Sequence, residues 1–413
     1  MTVQSYYRSL ALLMLASVSH GAWAESNLPT VDIGLRTRWE TATVDKDDAH
    51  ALTAKARLTV NYRFLEQFDT MLEIDHVATA NDDQHSDGVV LTDKPTIADP
   101  EGTEINQAFI RTEWQDNTIT LGRQKITYSD ERFIGNVGFR QNDQTYDAIQ
   151  SERYILEGSQ LHIAYIHNVN RIFGDDADRD LDKDDLRYDA LNGSRPAALL
   201  GNHHIDGWLV HLTLKEWDYL EFNTYGYSIH NYHVSNFSNQ TVGFEGHFQR
   251  KFGQVKIESG AELAYQQQPD HNNDRVHYQR ISGSLTTQGF TLGLRHELLT
   301  ENNGTAFITP LATLHRFQGW ADQFLVTPSV GLRDNSVNIK WRARPWTVDI
   351  RHHWFTSDAG SVDIGQEWNV DLIFKPKRKH EVKLRYADFN HASEQTIKSV
   401  DVEKVFLMYS YNI

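Results

Sequence analysis

Lys55-Ala56-Arg57-Leu58-Thr59-Val60-Asn61-Tyr62-Arg63-Phe64 alternates without a break. Ala56, Leu58, Val60, Tyr62 and Phe64 fall on one face of an extended chain, and Lys55, Arg57, Thr59, Asn61 and Arg63 on the other. Successive side chains of a β-strand point to opposite sides, so the pattern reads as a strand with one apolar face. The division recurs. Val255, Ile257, Ala261, Leu263 and Tyr265 oppose Lys256, Glu258, Glu262 and Gln266. Trp346, Val348, Ile350 and Trp354 oppose Asp349, Arg351 and His353, and Val382, Leu384 and Tyr386 oppose Glu381, Lys383 and Arg385. Soluble sandwiches alternate too, but their strands average about five or six residues. Roughly ten residues, tilted, is the span of a membrane β-strand. Length decides for a barrel in lipid.

The connections agree. Short ones such as Leu65–Gln67, Gln115–Asn117 and Ala343–Pro345 alternate with long ones such as Thr41–Leu52, Thr79–Thr103, Thr127–Thr145, Asn170–His203 and Thr300–Gly331. Barrels of the Gram-negative outer membrane have short periplasmic turns and longer extracellular loops. Eight short and nine long connections predict an all-β, antiparallel transmembrane barrel of about eighteen strands with both termini periplasmic. The last strand, Val402–Ile413, puts Val405, Leu407, Tyr409, Tyr411 and Ile413 on one face and ends the chain. Many such barrels end in Phe; this one ends in Ile.

At the N-terminus, Arg8 precedes the apolar stretch Ser9–Val18, and Ala22-Trp23-Ala24 forms an A-x-A cleavage pattern. That apolar stretch is too short to span a bilayer and suits a removable secretory signal covering residues 1–24. Residues 25–413 then form one barrel. With 39% hydrophobic residues and mean hydropathy −0.55, the remainder offers no run of about twenty apolar residues for a membrane helix. Cysteine is absent, so neither disulfides nor thiolate metal sites contribute. Forty basic against 56 acidic residues exclude nucleic acid as a partner.

Where the charges fall carries the functional reading. The polar faces hold Arg36, Arg38, Arg57, Arg63, Arg111, Arg295, Arg342, Arg351 and Arg385 against Asp69, Glu73, Asp75, Glu113, Glu258, Glu262, Asp349, Glu367 and Asp371. Charges at mid-membrane depth on the lipid side cost about 2–4 kcal/mol each, so these faces enclose water. Arginines that pair with the carboxylates brace the wall. Those in excess offer forked donors to carboxylates along a conduction path.

The acidic surplus sits in the long connections. Thr79–Thr103 carries Asp82, Asp83, Asp87, Asp93, Asp99 and Glu101 against Lys94. Around Asp178, Asp180 and Asp182, carboxylates alternate in a way that suits Ca²⁺. The stretch lacks the Gly and distal Glu of an EF-hand loop, and a solvated outer loop is the stronger account. His203-His204 and His352-His353 are adjacent pairs whose members point to opposite faces of a strand, so neither chelates one metal side by side. An enzyme would need a nucleophile joined to a His base, and no such motif, G-x-S-x-G included, is present.

Two stretches resemble the alginate-export family of outer-membrane barrels. One is Leu121-Gly122-Arg123-Gln124-Lys125-Ile126-Thr127-Tyr128-Ser129-Asp130-Glu131-Arg132-Phe133-Ile134-Gly135, with Gln144-Thr145-Tyr146-Asp147-Ala148 after it. The other is His315-Arg316-Phe317-Gln318-Gly319-Trp320-Ala321-Asp322-Gln323-Phe324, followed by Gly331-Leu332-Arg333-Asp334. The family often has Gly where Ser129 stands. The resemblance implies a monomeric eighteen-stranded barrel with an electropositive pore, and Arg123, Asp130, Arg132 and Asp147 as organising residues near its constriction. It leaves the solute open, because polysaccharide exporters and sugar-acid porins share such barrels.

The reading is passive diffusion of hydrophilic, anionic sugars or sugar acids through an outer-membrane channel surrounded by lipid and lipopolysaccharide. The expected pore-lining set is Arg36, Arg38, Arg57, Arg63, Arg111, Arg123, Arg132, Arg351 and Arg385, with Asp130 and Asp147 in a constriction network and no cofactor. Export of an acidic polysaccharide such as alginate is one alternative; an adhesin or structural barrel with acidic loops is another.

Overall fold

The computed structural model describes residues 28–412, apart from 66, 91, 175–176, 178–200, 270–273 and 393–398. The signal segment and Asp178, Asp180 and Asp182 lie outside the described residues. Eighteen barrel strands follow one another: β1 (Thr30–Val44), β2 (Asp47–Phe64), β3 (Phe68–Thr79), β4 (Gly102–Trp114), β5 (Asn117–Gln124), β6 (Thr145–Leu156), β7 (Ser159–Asn170), β8 (His203–Trp217) and β9 (Leu220–Asn231). The second half comprises β10 (Asn239–Phe252), β11 (Val255–Gln268), β12 (Asp274–Thr287), β13 (Phe290–Leu299), β14 (Leu332–Ala343), β15 (Trp346–Thr356), β16 (Asp363–Lys377), β17 (His380–His391) and β18 (Val402–Asn412). Each pairs antiparallel with its neighbour in sequence, and β18 returns to β1 in register from Gly34↔Asn412 to Val44↔Val402. The sheet therefore closes within one chain. Closure is what lipid requires, since an open edge would leave backbone groups without partners.

Outward positions are apolar and exposed, among them Val31, Ile33 and Leu35 on β1, Leu263 on β11 and Leu292 and Leu294 on β13. Trp114, Tyr154, Trp217, Phe252, Phe290 and Trp346 are exposed at the short-turn ends of their strands, as an interfacial girdle.

The structure departs from the sequence reading at two places. Thr41–Leu52 is not a loop: β1 and β2 stay paired to Val44↔Asp47 and turn through Asp45 and Lys46. Ala42, Ala49 and Ala51 of this extension pack on Ile97 from the 80–101 connection, so a stretch too small and polar to read as strand is buried by a neighbouring loop. Second, the lumen is not a continuous column of water. The 125–144 and 300–331 connections fold into it, and Ile126, Tyr128, Phe133, Ile134, Phe307, Leu311, Trp320 and Phe324 form one apolar core with Tyr146, Tyr278, Phe355 and Phe389 of the wall. Inward positions near the long loops are therefore apolar too.

Candidate functional site

The two inward connections are stitched into a single plug. Gly135 N donates to Leu311 O (2.9 Å), Thr313 N to Glu131 O (3.1 Å) and Val137 N to Thr313 Oγ1 (3.0 Å). Gly135 must be glycine for this approach, since a Cβ there would lie 2.4 Å from Thr313 Oγ1. The wall then holds the plug by polar side chains. Gln266 of β11 makes a reciprocal pair with Ile308, Nε2 to its carbonyl (2.8 Å) and Oε1 from its N–H (3.0 Å). Glu367 of β16 accepts the N–H groups of Trp320 (2.5 Å) and Ala321 (2.9 Å). Gly319 beside them has φ 83°, and a Cβ would strike the Glu367 carboxylate.

Most of the arginines singled out from the sequence serve this plug. Arg36 of β1 donates to Gln141 Oε1 (2.9 Å) and to the carbonyls of Gly138 (3.0 Å) and Arg140. Arg38 is 1% exposed, paired with Glu40 (3.2 Å) and Asp99 and bonded to Phe139 O. Arg57 joins Lys55 and Lys125 around Asp75, Glu73 and Asp143, three cations on three carboxylates. Burial alone would raise the Asp143 carboxyl, but Lys55, Lys125, Arg57 and Arg36 hold it well below the usual carboxylate range. Arg132, also 1% exposed, is paired with Glu297 (2.6 Å) and bonded to Thr309 (2.9 Å). Arg38 and Arg132 are thus braces buried behind the plug rather than pore-lining residues. Asp130 meets Arg280 and, at 4.0 Å, Arg295, and faces the lumen.

Arg123 and Asp147 lie elsewhere. They pair with each other (2.8 Å) directly across β5 and β6. They share the face of Leu121 and Ile149, which are 60% and 46% exposed to the lipid side. Neither lines the pore nor belongs to the constriction. The pair sits near the long-loop ends of its strands, where charge on the outer face costs only about 0–1 kcal/mol. Arg63 pairs with Asp69 (2.7 Å) at the opposite mouth, exposed, and Arg111 bonds Thr120 (3.2 Å) over the Phe109 ring.

Below the plug, toward the short turns, lies a vestibule of 1520 Å³. Eleven basic side chains line it against four acidic ones. Alternation sets them in rows: Lys340, Arg342 and Arg344 along and just after β14, Arg351 on β15, Lys375 and Lys377 on β16, Lys383 and Arg385 on β17, with Arg295, Arg316 and Arg378 beside them. Asp349 holds Lys340 (2.9 Å) and Arg351 (3.0 Å), and Asp371 holds Arg385 (2.7 Å). Arg342, Arg344, Lys377 and Arg378 have no carboxylate partner among the described residues. At the top of this wall, the Arg385 guanidinium lies 3.6 Å from the Trp320 ring centroid and bonds His315 (2.8 Å). The adjoining wall carries Ser259, Gly260, Ser282, Ser284 and Ser336 together with Lys256, Glu258 and His247.

Sequence reasoning left Arg280, Arg316, Lys340, Arg344, Lys375, Lys377 and Arg378 unnamed as site residues, and placed Lys383 on the polar face without counting it toward the pore. The two-residue period places the strand members of this set inward, so the signal was present; counting arginines alone overlooked the lysines. Among the described residues, no group of three or more His, Asp or Glu is placed to hold a metal.

No family model matches the chain, and no curated protein matches it. Solved structures do. OccAB4 of Acinetobacter baumannii is similar with a TM-score of 0.68 at 9% identity, over 93% of this chain and 98% of that one. OccK9 (OpdG) of Pseudomonas aeruginosa gives 0.67 at 11%, and OpdK of the same organism, solved with vanillate, gives 0.66 at 10%, both over 93% and 98% of the two chains. At such identities the likeness is one of architecture, and the chain has the closed eighteen-stranded antiparallel barrel of outer-membrane porins.

Proposed function

We propose that the protein is a passive diffusion channel of a Gram-negative outer membrane, selective for small hydrophilic anions, sugar acids and other carboxylates among them. The vestibule carries this reading: eleven basic side chains against four acidic ones, four of the basic set without a carboxylate partner among the described residues. A lumen lined by one sign of charge between low-dielectric walls concentrates ions of the other sign. Guanidinium forks then match carboxylates in two-point contact. A barrel of the same architecture solved with vanillate, a carboxylate, is a precedent. In this reading residues 1–24 are removed on export, the chain works as a monomer in lipid and lipopolysaccharide, and Arg351 and Arg385 meet the solute while Arg36, Arg38, Arg57 and Arg132 hold the plug. Diffusion asks for no catalytic residue.

The test is a reversal potential in a salt gradient across a planar bilayer containing the purified protein. The sign expected is that of anion preference; a zero or cation-sign potential overturns the proposal. Polysaccharide export stays as a second reading because the two blocks resembling the alginate-export family, residues 121–135 and 315–324, both contribute to the plug. Uronate oligomers of increasing length separate the two. A diffusion channel loses passage beyond the shortest oligomers, whereas an exporter passes long ones.

A further inference from the structure

The outer face of the barrel has two unlike rims. At the short-turn ends it carries Trp114, Trp217, Phe290 and Trp346, a belt of the kind found at both interfaces of a membrane. At the long-loop ends the outward positions hold imidazoles. The two-residue alternation places them: His76 of β3 follows Leu72, His167 of β7 follows Ile163, and His204 of β8 precedes Trp208. His277 of β12 precedes Ile281, and His296 of β13 follows Leu294. Each of those apolar residues is exposed toward lipid. His230 of β9 pairs across strands with Asp206, two residues from His204 on the same face. His352 of β15 lies between the rings of Trp354 and Trp368, at 4.3 Å and 4.2 Å. Among the described residues, His380 is the one histidine that faces outward at the opposite rim.

The imidazoles are densest over β7–β9. The His167 and His204 rings lie 4.6 Å apart, and Tyr232, just past β9, lies 4.7 Å from His204 and 4.6 Å from His230. The acids of this sector are engaged: Asp206 accepts the hydroxyls of Tyr165 (2.7 Å) and Tyr232 (2.5 Å), and Asp147 holds Arg123 (2.8 Å). Asp388 and Glu403 face outward on β17 and β18, a sector apart from this cluster. A plain interfacial belt needs only Trp or Tyr. Imidazole adds an N–H donor in either tautomer, and a second when protonated, without a permanent charge beside hydrocarbon. The leaflet on the long-loop side of a Gram-negative outer membrane is built of phosphorylated glycolipid, whose phosphate oxygens take charge-assisted hydrogen bonds. We propose that this imidazole belt is a docking surface for the phosphates of that glycolipid, whose acyl chains lie on Trp208, Ile281 and Leu294 below it. The surface lies outside the solute path and serves whichever solute the lumen passes.

Native mass spectrometry of the detergent-purified full chain tests this, with chelator present so that no divalent cation bridges lipid to the acidic loops. The probes are bis-phosphorylated lipid A and the same glycolipid stripped of its phosphates. The wild type binds the phosphorylated form about tenfold more tightly, the lower end for a hydrogen bond to a charged group. His76→Phe, His230→Phe and His277→Phe together, at three exposed positions, keep a ring at each place but remove the donors, and the preference falls several-fold. His76→Lys, His230→Lys and His277→Lys together restore donors, hold the preference at the wild-type level or above, and carry the test where the Phe variant does not fold. Equal binding of the two lipids by the wild type overturns the docking surface. So does an undiminished preference in the Phe variant, or a lost one in the Lys variant. The reversal potential bears on the channel reading alone, so the two readings fail separately.

Discussion

The plug and the vestibule use the same residue types to opposite ends. In the plug nearly every cation is matched: Lys55, Arg57 and Lys125 by Asp75, Glu73 and Asp143; Arg140 and Lys404 by Asp322; Arg132 by Glu297. In the vestibule, cations outnumber anions and several have no acidic neighbour. Burial explains the division. A buried charge must be paired to be tolerated, whereas a charge facing water can stand alone and project its field. Paired arginines fix geometry; unmatched ones set selectivity.

Breaking a matched site gives the largest effect. Asp322 is 96% buried from solvent at the side chain and holds Arg140 (2.9 Å), Lys404 (2.8 Å) and His315 (2.6 Å) at once. Asp322→Asn leaves two buried cations without their shared partner, a loss of about 3–5 kcal/mol for a broken buried pair. The 300–331 connection should then detach from β18 and from the 125–144 connection. Single-channel recording should show a severalfold higher open level with frequent large excursions. A wild-type conductance would mean that the plug does not depend on this junction.

Neutralising the unmatched set comes next. Arg342, Arg344, Lys377 and Arg378 replaced together by Gln remove four vestibule charges while breaking no ion pair among the described residues. The expected result is native conductance and stability with a several-fold fall in anion-to-cation permeability. If the reversal potential held while these charges were gone, the selectivity would have to reside in the plug.

The barrel wall was legible in the sequence, the division between plug and vestibule was not, and the difference has physical causes. Two-residue periodicity gave the strands because one face meets lipid, and it put Arg57, Arg351 and Arg385 on the polar face. It could not show that the 300–331 connection turns into the lumen, because a loop that packs on an inner wall carries the same Phe, Leu and Trp as any core. Nor could it tell Arg38 and Arg132, buried against carboxylates, from Arg342, which faces water. That distinction depends on contacts between residues about a hundred or more positions apart, such as Arg38 with Phe139 and Arg132 with Glu297.

A smaller effect follows acidification. His315 stacks on Phe139 (3.6 Å, 18°), with Nδ1 bonded to Asp322 and Nε2 to Arg385. Burial, with Arg385 and Arg140 nearby, pushes its pKa down to about 3 despite Asp322, so it is neutral and accepts from Arg385. A detached loop would present His with a pKa near the usual ~6.5. Between ~6.5 and about 3 the detached state takes up a proton that the packed state refuses. Attachment is therefore full above ~6.5 and weakens as pH falls through that window. Asp322 and Asp143, held well below the carboxylate range, begin to lose their contribution only below ~3.9. The frequency of large open excursions should rise from pH 7 to pH 4.5 in the wild type, and His315→Gln should flatten that rise. An equal rise in the variant would assign it to another group.

The smallest effect belongs to the charge that the sequence motif made most prominent. Arg123 ends β5 on the face of Leu121, bonded to Asp147 (2.8 Å) and to Ile105 O (3.1 Å), with the barrel wall between it and the lumen. Its field reaches the solute path only through that wall, and Asp147 cancels most of it at source. Arg123→Gln should leave the reversal potential at its wild-type value and cost at most about 1 kcal/mol, the scale of an exposed pair. Arg351→Gln, identical in charge change but facing the vestibule beside Trp320, should shift it measurably. If the two variants behaved alike, side of the wall would not be what separates a structural arginine from a selective one. The contrast between plug and vestibule would then have to be drawn from total charge alone.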